Sequence, residues 1–182
     1  KLMELSSKQI EQFNKDGYII FPELFTSDEI EIFKNEVDRV SKIRSEMVVR
    51  EGEDEAVKIM FQLHEENVET ASPPFRTAAR SPRILRTAQQ CLGDEELYLH
   101  HSKLNMKSAI EGSAWPWHQD FHSWHLDGIK QPDMVTVTVV LTEASPINGC
   151  MYVLPGSHKQ GRSSPRWDDS TAYKLWVAKT PD

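Results

Sequence analysis

Apolar residues recur at steps of three and four through the first part of the chain. Leu5, Ile10 and Phe13 make a short face behind Ser6, and Ser6-x-x-Gln9 has the spacing of a capping box. A helix is expected there, stopped by Asp16-Gly17. Tyr18-Ile19-Ile20-Phe21 reads as a compact strand closed by Pro22. Thr26-x-x-Glu29 opens a second helix, in which Ile30, Phe33, Val37 and Val40 form one stripe whose plain role is core. Residues 50–55 (REGEDE) read as a solvated loop or strand connection, and residues 57–68 fit helix and strand equally. Ser72-Pro73-Pro74 is expected to break the chain. Ser81-Pro82 then reads as an N-cap followed by a first-turn proline, with Ile84, Leu85, Ala88 and Leu92 along the helix and Gly93 ending it.

Beyond Gly93 the period shortens. Residues 97–101 and 103–106 read as strand, and residues 134–141 (MVTVTVVL) alternate Val with Thr as a half-buried strand does. Pro146-Ile147-Asn148-Gly149 is a turn, residues 150–154 another strand, and Pro155-Gly156-Ser157 the next turn. Helices first and short strands after predict an α+β protein with a β-sandwich or jelly-roll core. A single domain over 1–182 is expected, helix-rich over 1–93 and built of short strands over 94–182. A chain of 182 residues can bury a real core.

Charge and composition narrow the function. The formal net charge is −7, and no Lys/Arg stripe is interleaved with aromatics, so nucleic acid is not an expected partner. Apolar runs are strand-sized, so no membrane span is expected. The opening KLMELSSKQIEQF lacks the apolar core of a signal peptide. Cys91 and Cys150 make no disulfide framework, and a reducing, cytoplasmic setting is the expectation.

Chemistry is concentrated in WPWHQDFHSWHLDG, residues 115–128. His118 and Asp120 stand two apart; on a strand both would project from one face, roughly 6–7 Å apart. An imidazole and a carboxylate that lean to one point, with a third ligand from elsewhere, suit non-haem Fe(II). A lone H-x-D is a weak signal. Trp115, Trp117, Phe121 and Trp124 add apolar bulk, which serves a water-poor metal site or an ordinary core. His118 with His122 offers the i, i+4 spacing of a helical zinc pair, and a zinc hydrolase using His118, Asp120 and His122 is the rival. Trp115-Pro116 and the turn at Asp127-Gly128 speak against a helix through the stretch, and no glutamate neighbours His118. His122 and His125 are expected to support the site or lie at the surface.

The chain resembles the phytanoyl-CoA dioxygenase family of Fe(II)/2-oxoglutarate oxygenases, and within it the ectoine-hydroxylase-like branch. The resemblance runs through QIEQFNKDGYIIFPELFTSDEIEIFKNEVD, HHSKLNMKSAIEGSAWPWHQDFHSWHLDG and VTVVLTEASPINGCMYVLPGSHKQG. It implies a double-stranded β-helix (jelly-roll) core over 94–182 with the N-terminal helices packed on one sheet, and Fe(II), 2-oxoglutarate and O2 as cofactor and co-substrates. His118 and Asp120 would be the first two iron ligands. Asn105 and Trp115 would border 2-oxoglutarate, with Lys107 and Thr138 as weaker candidates for the same pocket. His101 and Trp124 fall where ectoine-type enzymes hold substrate, and the PGSHK turn with His158 would be structural. The implied reaction is hydroxylation of an aliphatic C–H of a small molecule, an amino-acid derivative or secondary metabolite, with release of succinate and CO2.

Departures qualify this. His101 stands where the ectoine enzymes carry glutamine, and Asp133 where they place arginine, which argues against ectoine as substrate. Asp120 argues against a halogenase. The family's second iron histidine and its oxo-acid-binding arginine lie downstream of PGSHK, whereas no histidine follows His158 here. Arg162 and Arg166 sit in a polar loop. The expectation is a jelly roll lacking its last strands and an incomplete chain; a family member that binds small molecules without turnover is the alternative.

Overall fold

The computed structural model describes residues 4–108, 112–170 and 174–178. Helix α1 covers Ser7–Asp16 and α2 covers Ser27–Ser41, each behind a complete capping box. In the first, Gln9 N donates to Ser6 Oγ at 3.3 Å and Ser6 N to Gln9 Oε1 at 2.9 Å. Thr26 and Glu29 repeat the pattern at 3.3 and 2.8 Å. Such caps satisfy amide groups that the first helical turn leaves without partners.

Strands β1 (Val48–Glu51) and β2 (Ala56–Phe61) pair antiparallel across the charged turn, and β2 pairs antiparallel with β3 (Lys103–Asn105). The order β1-β2-β3 makes β2 the central strand. Val37 and Val40 of α2 pack on Val48, Met60 and Leu63, with Phe75 and Leu104 against the cluster. Val40, Ile59 and Met60 are wholly buried; each contributes about 1.5–3 kcal/mol of hydrophobic stabilisation. Helices α3 (Pro73–Ala79) and α4 (Pro82–Leu92) follow. Arg83 of α4 reaches back to Leu24 O at 2.8 Å and Glu29 Oε2 at 2.9 Å, tying α4 to the start of α2. Helix α5 (Asp120–Leu126), a short 3-10 turn (Ser157–Gln160) and the antiparallel pair β4 (Arg166–Asp168) and β5 (Leu175–Val177) complete the described elements. The architecture is mixed helix and sheet. Among the described residues no helix is long and apolar enough to cross a membrane.

Several expectations change. Residues 18–21, 97–101, 134–141 and 150–154 join no ladder, and of residues 103–106 only Lys103–Asn105 does. Their composition suits strands, but a strand needs a partner, which local sequence does not specify. Val140, Met151 and Tyr152 are accordingly exposed. Ser72-Pro73-Pro74 does not simply break the chain: it starts α3, because a first-turn proline gives up an N–H that would have no partner. Ser72 Oγ donates to Glu36 Oε2 at 2.6 Å. The stretch after Pro116 is helical after all: the N-cap of α5 is Gln119, so the proline lies outside the helix. Strands β4 and β5 are additions, and β4 falls within the loop read as polar.

Gly17 closes α1 at φ 82° and accepts the PGSHK turn against it: Gly156 N donates to Asp16 O at 2.8 Å and His158 Nε2 lies 3.1 Å from Asn14 O. A Cβ on Gly17 would run into the His158 ring, whereas Gly93, with φ 66°, faces open space. The left-handed conformation costs an L-residue about 1–2 kcal/mol, so Gly93→Ala should lose about that much in urea unfolding. Gly17→Ala should lose measurably more, and equal losses would mean that the His158 contact contributes nothing.

Candidate metal centre

The segment 113–119 crosses the molecule with three anchors. Ser113 N donates to Glu51 Oε1 at 3.0 Å, and Ala178 N, next to β5, donates to Trp117 O at 2.7 Å. The Gln119 side chain bonds Gly161 O at 3.0 Å and accepts from Ser163 N at 2.8 Å. These contacts fix the approach of the chain to α5, where Asp120 is the first residue. A carboxylate there is favoured by the positive end of the helix dipole.

His118 Nε2 lies 3.2 Å from Asp120 Oδ1. The other ring nitrogen, Nδ1, stands 2.8 Å from Pro116 O; a carbonyl only accepts, so Nδ1 carries a proton and donates. Nε2 is therefore the nitrogen turned to the carboxylate. The second carboxylate oxygen, Oδ2, accepts from Thr136 Oγ1 at 3.0 Å. Convergence is thus reached through a helix start, not through the common face of a strand.

The charges respond to one another. The hydrogen bond from His118 outweighs burial and brings the Asp120 carboxyl down to about 2, with help from the His118 and Lys103 charges and from Thr136. The same bond to Asp120 outweighs burial to raise His118 above its ordinary value. The stabilisation from Asp120 is present above the usual carboxylate range and fades as pH falls towards 2. That from His118 is full below its ordinary value and fades as pH rises through the raised one.

A cleft of about 260 Å³ opens beside the pair, lined among others by Lys103, Trp115, His118, Asp120, Trp124 and Trp176. Burial lowers the pKa of Lys103, whose ammonium lies 5.1 Å from the Trp115 ring centroid. His101 packs on Trp124 at 4.9 Å and on Phe61 at 5.7 Å, and burial lowers its pKa as well. The cleft therefore gathers His118, Asp120, Trp115 and Trp124, with His101 in contact behind Trp124. Asn105, Lys107 and Thr138 are not among its lining residues: Asn105 and Thr138 are exposed, and Lys107 donates to Gly149 O on the Asn-Gly turn.

Sequence reasoning missed Lys103, Thr136 and Trp176. Lys103 stands two before Asn105 and Thr136 two before Thr138. Trp176 left no signal in the sequence. The rival zinc pair does not form: His118 precedes α5, while His122 is buried within it against the Trp176 ring at 5.6 Å. His125 Nδ1 donates to Ile129 O at 3.0 Å, and Arg162 and Arg166 are exposed.

An imidazole nitrogen and a carboxylate, each with its remaining polar atom held by a neighbour, fit two positions of a divalent ion that takes mixed N and O donors. Among the described residues no group of three His, Cys, Asp or Glu surrounds such an ion.

Similarity to known proteins gives the class. Residues 13–179 match the family model for phytanoyl-CoA dioxygenase (PhyH), and the chain belongs to that family, in its ectoine-hydroxylase-like branch. It is 33% identical over 161 residues to the ectoine dioxygenase of Bordetella bronchiseptica, covering 86% of this chain and 50% of that one. It is 32% identical over 151 residues to the L-proline trans-4-hydroxylase of Streptomyces griseoviridis, covering 82% and 54%. Among solved structures it is similar to EctD from S. alaskensis with bound Fe, at a TM-score of 0.58 and 30% identity, over 66% of this chain and 42% of that one. The chain spans about half the length of the curated relatives it matches.

In the metal-free protein, Asp120→Asn should move the His118 titration to lower pH, since the partner that favours the imidazolium is gone. Proton NMR of the ring follows it directly. An unmoved titration would mean that the two side chains do not meet in solution.

Proposed function

We propose that this chain is part of an Fe(II)- and 2-oxoglutarate-dependent dioxygenase that hydroxylates an aliphatic C–H of a small molecule. The observation that carries the reading is the approach of His118 Nε2 to Asp120 Oδ1, 3.2 Å apart beside an aromatic-lined cleft. The solved relatives include EctD with bound Fe and EctD with 2-oxoglutarate and 5-hydroxyectoine, the latter 28% identical at a TM-score of 0.57. When bound, Fe(II) with 2-oxoglutarate and O2 would supply the oxidation, with release of succinate and CO2. The protein's part is binding, orientation and exclusion of water.

His118 and Asp120 would hold two metal positions, with Nδ1 fixed by Pro116 and Oδ2 by Thr136. Trp115 would wall the co-substrate side, where Asn105, Lys107 and Thr138 are the other candidates. His101 and Trp124 would contact substrate. At neutral pH the lowered pKa of His101 leaves a neutral imidazole there, a different recognition element from an amide. Amino-acid derivatives and secondary metabolites are the substrate class. The strand-like segments 134–141 and 150–154 would belong to a jelly roll, in one domain with the N-terminal helices.

A second reading is a binding protein without turnover.

The full-length gene product should develop a visible charge-transfer band on anaerobic addition of Fe(II) and 2-oxoglutarate together. Asp120→Ala should abolish it. A full-length protein that binds 2-oxoglutarate but gives no band supports the binding reading, and a band unchanged in Asp120→Ala removes the dyad from the metal.

A further inference from the structure

Lys58 is 1% exposed at its side chain, on the central strand β2, where an apolar residue would be the cheaper choice. It stands at a β-bulge: Val49 pairs with Ile59 and Arg50 with Val57, so Lys58 has no opposite residue on β1. A bulge re-aims a side chain. Here the ammonium meets Glu51 Oε2 at 3.0 Å, Ser113 O at 3.2 Å and Ser113 Oγ, so all three of its donors are used. The Glu51 carboxylate in turn takes Ser113 N at 3.0 Å and Ser113 Oγ. Burial would raise the Glu51 carboxyl, but the bonds from Ser113 and Lys58 outweigh it and hold it low.

The ion pair therefore clamps one residue, Ser113, from both sides. Two residues on, Lys58 Nζ lies 5.1 Å from the Trp115 ring centroid, and the next carbonyl, Pro116 O, is the acceptor that orients His118. The anchors at Trp117 and Gln119 act downstream of that carbonyl; the Ser113 clamp holds it from upstream. We propose that Lys58 and Glu51 are positioning residues, which set the affinity of His118 and Asp120 for their metal by fixing the path of residues 113–116. The inference rests on the metal-binding reading above.

The double variant Glu51→Met/Lys58→Met tests it in the full-length protein. Replacing a buried ion pair by apolar side chains of similar length tends to preserve stability, so a purely structural pair would leave the site untouched. The expected result is a thermal midpoint near wild type and faster amide exchange in residues 112–119 of the metal-free protein. The Fe(II) dissociation constant, read from the anaerobic band with 2-oxoglutarate, should rise about 10-fold or more. A folded double variant with wild-type exchange and Fe(II) affinity overturns the proposal, and so does faster exchange with unchanged affinity. Ser113→Ala, which removes only the hydroxyl contacts, should shift both readouts in the same direction and serves if the double variant does not fold. A wild-type protein with no band defeats the oxygenase reading instead. The exchange measurement then decides the clamp alone: acceleration confined to residues 112–119 supports it, and none overturns it.

Discussion

The core and the approach to the candidate site both lean on the burial of β2. It is the strand flanked on both sides by hydrogen-bonded neighbours, and Lys58, Ile59 and Met60 along it are almost fully withdrawn from water. An apolar pair in such a strand needs only neighbours of the right size. An ammonium needs every proton matched, because an unpaired buried charge costs several kcal/mol. The matching groups are Glu51 and Ser113, sixty-two positions apart in the chain. Satisfying one lysine therefore joins the hairpin to the segment that carries the candidate metal ligands. The requirement is local; its consequence is not.

The features legible in the sequence are those decided within a few residues. Ser6 with Gln9, Thr26 with Glu29, and the stop glycines Gly17 and Gly93 each depend on neighbours three or four positions away, and all stand in the structure as their spacing implies. Strand pairing is different. Residues 134–141 have the alternation of a strand, yet among the described residues they join no backbone ladder, while β4 lies in a stretch whose charge suggests a loop. Proline misleads in both directions: Pro73 starts a helix and Pro116 merely precedes one.

The candidate site was half legible. His118 and Asp120 were singled out by residue type and by order along the chain, and the expected geometry placed them on a strand. They converge instead because Asp120 opens α5 and His118 turns back onto Pro116 O. The residues that address them from elsewhere, Thr136 and Lys103, belong to segments whose register only the folded chain reveals. One step of two along an alternating run separates Thr138 from Thr136, and no local rule chooses between them.

The dyad also carries a constraint of its own. His118 and Asp120 each stabilise the charge of the other, as the opposed shifts in their pKa values express. That attraction keeps both side chains aimed at one point, so little side-chain entropy remains to be lost when an ion arrives. A proton held between them would have to leave before a metal bound, however, and the stronger the pairing the larger that cost becomes. A third donor and the burial of the completed site have to offset it. The hydrogen bonds from Pro116 and Thr136 bear on this balance from behind. Pro116 keeps the Nδ1 proton, which leaves Nε2 as the nitrogen that loses its own. Thr136 occupies Oδ2, which leaves Oδ1 as the oxygen that faces it. The supporting shell would thus decide which two atoms are offered to an ion, and the clamp on Ser113 stands one step behind that shell.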